Sequence, residues 1–273
     1  MSFPETVVLD YGEVKSTSTV QRAPLGTRGV LPDGRVFRYA NAGAAIKIGQ
    51  VLQGEIAYNI TGLYGLSSSK NLPLAAGTTH TSTWSYIEVE TSWLSGDTAI
   101  AADKWAEGYL FVGSCADGVF TTSTGTGQMV RIKSHIDTTA ASTEHLQFIL
   151  EDGDHLVEDV STDHSVGLML NPYDGVFNPT QADSPTAAVV GVPLTNVASG
   201  SYFWAQTWGP AVLYAGAASV MANMVSMSTD AGDTGVTEDI KSSNAAADTN
   251  TLGYAMLPAL ASQYVMVQLQ LSP

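Results

Sequence analysis

Short runs in which apolar and polar residues alternate with a period of two recur along the chain, separated by breaks rich in Gly, Pro, Asn and Asp. The best alternation is STWSYIEVETSW (82–93). On a pleated strand it puts Trp84, Tyr86, Glu88 and Glu90 on one side and Ser85, Ile87, Val89 and Thr91 on the other. QYVMVQLQL (263–271) sets Val265, Val267, Leu269 and Leu271 as an apolar face opposite Tyr264, Met266, Gln268 and Gln270. GYLFVG (108–113), HSVGLML (164–170), AAVVGVPL (187–194), AVLYAG (211–216) and TLGYAML (251–257) read as further strands. RVFRYANAG (35–43) and SYFWAQTW (201–208) carry bulk on both sides: Tyr202, Trp204 and Gln206 on one, Phe203, Ala205 and Thr207 on the other. Such strands are covered on both faces or lie at an interface. Two stretches also fit helices. EHLQFILEDG (144–153) does so through Leu146, Ile149 and Leu150, and the Ala- and Met-rich 210–227 through Val220, Met224 and Met227.

This pattern predicts a mainly β chain: antiparallel barrel or sandwich modules with an extended N-terminal arm, long loops and little helix. The expected organisation is an arm over 1–34, a β-rich body with insertions over 35–185, and a small barrel-like C-terminal domain over 186–273. The arm is placed on the aperiodic, Pro- and Gly-containing 12–34, and the later boundary on FNPTQADSPT (177–186). The polar stretch 228–250 reads as an exposed loop. A faint echo joins Gly34-Arg-Val-Phe37 to Gly200-Ser-Tyr-Phe203, each followed by a glycine, Gly43 and Gly209, nine residues after its first.

Composition sharpens this picture. Only 14% of the 273 residues are charged and 44% are hydrophobic, so a sizeable core is affordable and charged helical faces are few. The net charge of −15 argues against broad binding to nucleic acid. Residues 1–47 nevertheless hold six bases against four acids, and after residue 133 the only base is Lys241. The positive segment reads either as an arm docking on an acidic surface through Arg22, Arg28, Arg35 and Arg38, or as arginines paired with the protein's own acids. Cys115 is the only cysteine, which excludes an intrachain disulfide. MSFPETVVLDYG lacks a charged region followed by an apolar run, and no stretch nears the ~18 apolar residues of a membrane span. The expectation is a chain made in the cytoplasm, with no membrane partner.

Candidate chemistry is sparse. STGTGQMVRIKSH (123–135) suggests a phosphate loop, but Ile132 stands where the glycine before the lysine belongs. It reads instead as a glycine turn feeding a strand, with Val130, Ile132, Ser134 and Ile136 on one face and Met129, Arg131, Lys133 and His135 on the other. That basic face reads either as a contact patch or, the favoured expectation, as lying against acidic strands such as the one bearing Glu88 and Glu90. EDGDHLVEDVSTDH (151–164) departs from the EF-hand pattern at Leu156 and Val157, leaving Asp152 and Asp154 as an irregular Ca²⁺ alternative to a solvated acidic loop. No G-x-S-x-G or H-E-x-x-H occurs, and the sequon Asn59-Ile-Thr61 reads as idle. The expectation is no catalytic residue, no metal and no cofactor.

PLGTRGVLPDGRVFRYANAGAAIKIGQVLQ (24–53) resembles the N-terminal region of virion structural proteins of tailed bacteriophages. GYLFV, GTGQMVRIKSH and VVGVPLTNVASGSYFWAQTWGPAVLYAG look like later blocks of such proteins, and head decoration (cement) protein is the label they most resemble. The resemblance covers about a third of the chain in Gly- and aromatic-rich strand-and-turn patterns, and leaves 54–185 as extra. It implies a non-enzymatic protein of the virion surface that binds the major capsid protein and stabilises the assembled shell. It further implies a homo-oligomer, a trimer before a dimer, with Tyr202, Trp204 and Trp208 as interface candidates. On this reading, removal of residues 1–34 abolishes capsid binding and leaves the body folded. The alternatives are another virion component, such as a major capsid or tail protein, and a carbohydrate-binding module using its Trp and Tyr residues as a platform.

Overall fold

The computed structural model describes residues 6–54, 72–73, 84–90, 101–114, 125–136, 145–160, 164–178, 189–215, 224–227, 236–237, 251–258, 260 and 263–273. The protein is mainly β, with 50% of the described residues in strands and 2% in helix. Two compact units form: Met1–Glu55 together with Pro172–Pro273, and Ile56–Asn171. The second unit is thus inserted into the first. The expected boundaries after 34 and 185 are not the ones seen, because β3 (Val36–Asn41) pairs along the first half of β12 (Tyr202–Ala215) and welds the ends of the chain into one sheet.

In the first unit β1 (Thr6–Val8) runs parallel to β2 (Arg28–Val30), which pairs antiparallel with β3. The second half of β12 pairs with β16 (Gln263–Gln270), from Trp208 opposite Gln270 to Ala215 opposite Gln263. With β13 (Met224–Met227), β14 (Val236–Thr237) and β15 (Thr251–Ala255), these two strands close into a ring, in the order β12, β14, β13, β15, β16. Ala211, Leu213, Leu252, Val265, Val267 and Leu269 fill it. The helix expected over 210–227 does not form in its described parts. Residues 210–215 continue β12, and Met224–Met227 is a strand. The facing strand β16 supplies a full ladder of backbone partners, which overrides a helical spacing carried by Ala and Met.

The N-terminal segment is not a detached arm. After β1 it makes one 3-10 turn (Glu13–Lys15), and Leu9, Val14, Ala23 and Leu31 are buried with Phe37, Tyr39 and Trp204. An internal repeat also emerges, one that differs from the expected echo. Ile46 and Val197 exchange both backbone hydrogen bonds at 2.9 Å. Each is followed three residues later by a glycine with positive φ, Gly49 (77°) and Gly200 (75°), and then by a strand, β4 (Leu52–Gln53) or β12. β4 pairs with β11 (Val189–Pro193) as β3 pairs with β12, so two strand–turn–strand units interlock.

The second unit is a six-stranded antiparallel sheet. Its members are β5 (Leu72–Pro73), β6 (Tyr86–Glu90), β7 (Tyr109–Ser114), β8 (Met129–His135), β9 (His145–Leu150) and β10 (His164–Met169). They run in the order β5, β10, β7, β8, β9, β6. One face encloses Ile87, Val89, Leu110, Val130, Phe148 and Trp105. Residues 145–150 are a strand, which settles their helix–strand ambiguity. A bulge in β8 between Ile132 and Ser134 shifts the alternation, so His135 lands on the buried side rather than beside Met129 and Lys133.

Candidate interaction surface

At Val212, Tyr214, Tyr264 and Met266 the outer face of β12 and β16 is apolar where an exposed barrel face is ordinarily polar. Val212 on β12 is 50% exposed and lies opposite Met266 on β16, which is 38% exposed. One pair along, Tyr214 and Tyr264 meet edge to face at 5.7 Å, and Tyr264 is 54% exposed. The Ile48–Gly49 turn covers this end, with Gly49 packed close to the Tyr264 ring and the Val212 carbonyl. On the other side Met256 donates its N–H to the Met266 carbonyl at 2.7 Å, and Leu257 and Leu260 are exposed in the same connection. The result is a continuous apolar and aromatic surface, the kind that marks an interaction site.

A cleft of about 280 Å³ opens beside it, lined by Ile48, Pro193, Leu194, Pro210, Val212 and Met266, with Lys15, Arg35 and Gln206 also reaching it. Gln206 is buried. Its Nε2 donates to the Trp208 and Pro210 carbonyls at 3.1 and 2.8 Å, while Oε1 has no partner among the described residues. Arg35 is fixed by Asp33 at 2.9 Å and lies 6.0 Å from the Tyr11 and Phe37 rings. Partial burial pushes the Asp33 carboxyl up, but the hydrogen bonds from the Arg35 N–H and guanidinium together hold it below its usual range. The cleft therefore combines an apolar lining, one buried acceptor and two cations.

Of the four arginines expected to dock a partner, Arg28, Arg35 and Arg38 have guanidinium partners within the chain. Arg28 Nε donates to the Pro273 carbonyl at 3.2 Å. Arg38 bonds the Gly26 carbonyl at 3.2 Å and Ser272 Oγ at 2.9 Å. Arg22 offers its backbone N–H to the Tyr39 hydroxyl at 3.0 Å, and burial raises the pKa of that hydroxyl. Of the aromatic candidates, Trp204 is a core residue at 5% exposure, edge-on to Tyr39 at 5.0 Å. Tyr202 is half-buried and stacks on Tyr39 at 6.0 Å, and Trp208 is half-buried in the β3–β12–β16 sheet. None of the three belongs to the exposed surface described above. The signal that finds that surface is QYVM itself, where Tyr264 and Met266 alternate with an already apolar set.

In the second unit the basic positions pair elsewhere than on β6. Lys133 bonds Asp152 at 2.7 Å, which raises its own pKa and lowers that of the aspartate. Arg131 lies 3.6 Å from Glu107, whereas Glu88 accepts from Gln147, because β9 separates β8 from β6. The glycine turn embraces the chain's own acid: the Gly125 N–H donates to Glu158 at 2.6 Å. Asp154 accepts the N–H groups of Arg131 and His155 at 2.6 and 3.0 Å. No cluster of three or more His, Cys, Asp and Glu suited to a metal occurs among the described residues. Cys115 and the Asn59 sequon lie outside those residues. Among the described residues no helix is long and apolar enough to cross a membrane. No family model, curated protein or solved structure matches the chain.

Proposed function

We propose that the chain is a non-enzymatic virion subunit, a head decoration protein of a tailed bacteriophage, and that the outer face of β12 and β16 is the surface it buries against the capsid shell. The carrying observation is the continuous exposed patch of Val212, Tyr264 and Met266 beside a cleft bearing Lys15 and Arg35. An apolar centre supplies affinity, and the flanking cations favour a shell surface carrying carboxylates. The resemblance of the 24–53 and 189–216 blocks to virion proteins supports the same reading. Binding of assembled subunits in preference to free ones is how such a protein stabilises a shell.

The test is co-sedimentation of the purified chain with phage heads stripped of decoration protein, with copy number read by electron microscopy. The Val212→Asp/Tyr264→Asp double variant is expected to lose at least about tenfold in affinity, the equivalent of 1.4 kcal/mol. Its circular dichroism and thermal midpoint stay close to the parent's, since both side chains are exposed. Unchanged binding by the folded variant removes the patch from the reading. Failure of the parent chain to bind heads overturns the reading itself.

A further inference from the structure

The second unit holds an open cleft of about 580 Å³, lined by Trp84, Ser85, Asp154, His155, Leu156 and Val157 together with Gly153. Its construction begins at β6. Trp84 lies two residues before Tyr86 on the same side of the strand line, and their rings stack at 5.0 Å with 23° between planes. The Ser85 carbonyl accepts the Leu150 N–H at 2.8 Å, which fixes this end of β6 against the end of β9. There the chain reverses through Gly153, at φ 88°, and Asp154 closes the turn by donating its N–H to the Glu151 carbonyl at 2.9 Å.

Two backbone amides hold the Asp154 carboxylate, which keeps lone pairs for further donors. His155 is exposed, with Nδ1 3.4 Å from the Gly153 carbonyl, and Val157 beside it is 80% exposed. A braced indole, a fixed carboxylate and an accessible imidazole on one cleft make a saccharide site. The C–H face of a pyranose packs on the aromatic ring, and its hydroxyls donate to the carboxylate and bond the imidazole. A nucleotide would stack equally well, but its phosphate would meet Glu151, Asp152 and Asp154, and the neighbouring cation Lys133 is already bound to Asp152. The same charge disfavours uronic and sialic acids.

We infer that this cleft binds a neutral or amino-bearing saccharide, with Trp84 as the stacking platform and Asp154 and His155 as the hydrogen-bonding groups. The inference is independent of shell binding, since every residue it uses lies in the inserted unit. The full chain is applied to an array of neutral, amino and acidic glycans, then titrated by calorimetry with chitotriose and maltotriose. Saturable binding of a neutral or amino glycan is expected, reduced at least about tenfold by Trp84→Ala and severalfold by His155→Ala. His155 is an exposed turn residue, so that variant keeps the test intact if loss of the indole disturbs the sheet. Capture of acidic glycans alone, binding of no glycan, or unchanged affinity in both variants overturns the inference.

Discussion

Burial and two hydrogen bonds hold the His135 ring in one neutral form. Nε2 accepts the Trp105 backbone N–H at 3.1 Å, so Nδ1 carries the proton and donates to the Ile136 carbonyl at 2.8 Å. The Trp105 and Phe148 rings lie at 5.1 and 5.4 Å from it. Burial lowers its pKa from the ordinary 6.5, outweighing the Ile136 bond and the Asp103 charge that raise it. The sign of the pH effect follows. As pH falls below 6.5 the unfolded chain takes up a proton that the folded chain refuses, so stability declines toward acid, with a slope approaching about 1.4 kcal/mol per pH unit. Urea unfolding of the inserted unit from pH 7.5 down to 5.5 is expected to show this loss. His135→Gln is expected to be less stable at pH 7.5, by about 1–3 kcal/mol, with a flatter acid side. An equal slope in parent and variant refutes the assignment. Strict alternation puts His135 on a basic face with Met129, Arg131 and Lys133. The bulge that turns it inward arises from pairing with β9 and leaves no mark in the local pattern.

Strands were legible where one face is buried and one is wet, since a period of two is then written into the residue types. Ile87 and Val89 on β6, and Val265, Val267 and Leu269 on β16, are the clearest cases. The N-terminal segment was not legible for the converse reason. Leu9, Val14, Ala23 and Leu31 fill gaps in an irregular path, so their spacing has no period, while the arginines between them advertised a solvated arm. Arg28 bonds Pro273, and Arg38 on β3 bonds Ser272, so the β2–β3 pair is tied to residues 272–273. Removal of residues 1–34 is therefore expected to unfold the first unit rather than free a docked arm, because it strips β1 and β2 from β3 and exposes Phe37, Tyr39 and Trp204. The milder Leu31→Ala, at a fully buried site, is expected to cost about 2–5 kcal/mol by chemical denaturation. A truncated chain that keeps the parent's near-ultraviolet spectrum and cooperative melt would restore the arm.

The arrangement of the two units also decides how the molecule tolerates change. Three buried clusters, around Leu213, Phe203 and Trp204, belong to the first unit, and the cluster around Phe148 belongs to the second. Among the described residues no cluster draws on both, so each unit has a core of its own, the requirement for independent folding. The chain leaves the first unit after Glu55 and returns at Pro172, and Gly54 lies beside the point of return: a Cβ on Gly54 would approach the Pro172 carbonyl to 2.6 Å. Beyond them, Gln53 and Phe177 exchange backbone hydrogen bonds at 3.0 and 3.1 Å, which holds both ends of the insertion in one ladder. A short bridge between such ends closes a small loop, and the entropy of closure changes only slowly with its length. Replacement of residues 56–171 by a few glycines and serines is therefore expected to leave a folded, cooperatively melting first unit with Val212, Tyr264 and Met266 still exposed. That shortened chain should bind phage heads as the parent does and lose every glycan the parent binds. Loss of head binding in a shortened chain that melts cooperatively would move the shell contact onto the inserted unit, and retention of glycan binding would move the saccharide site off it.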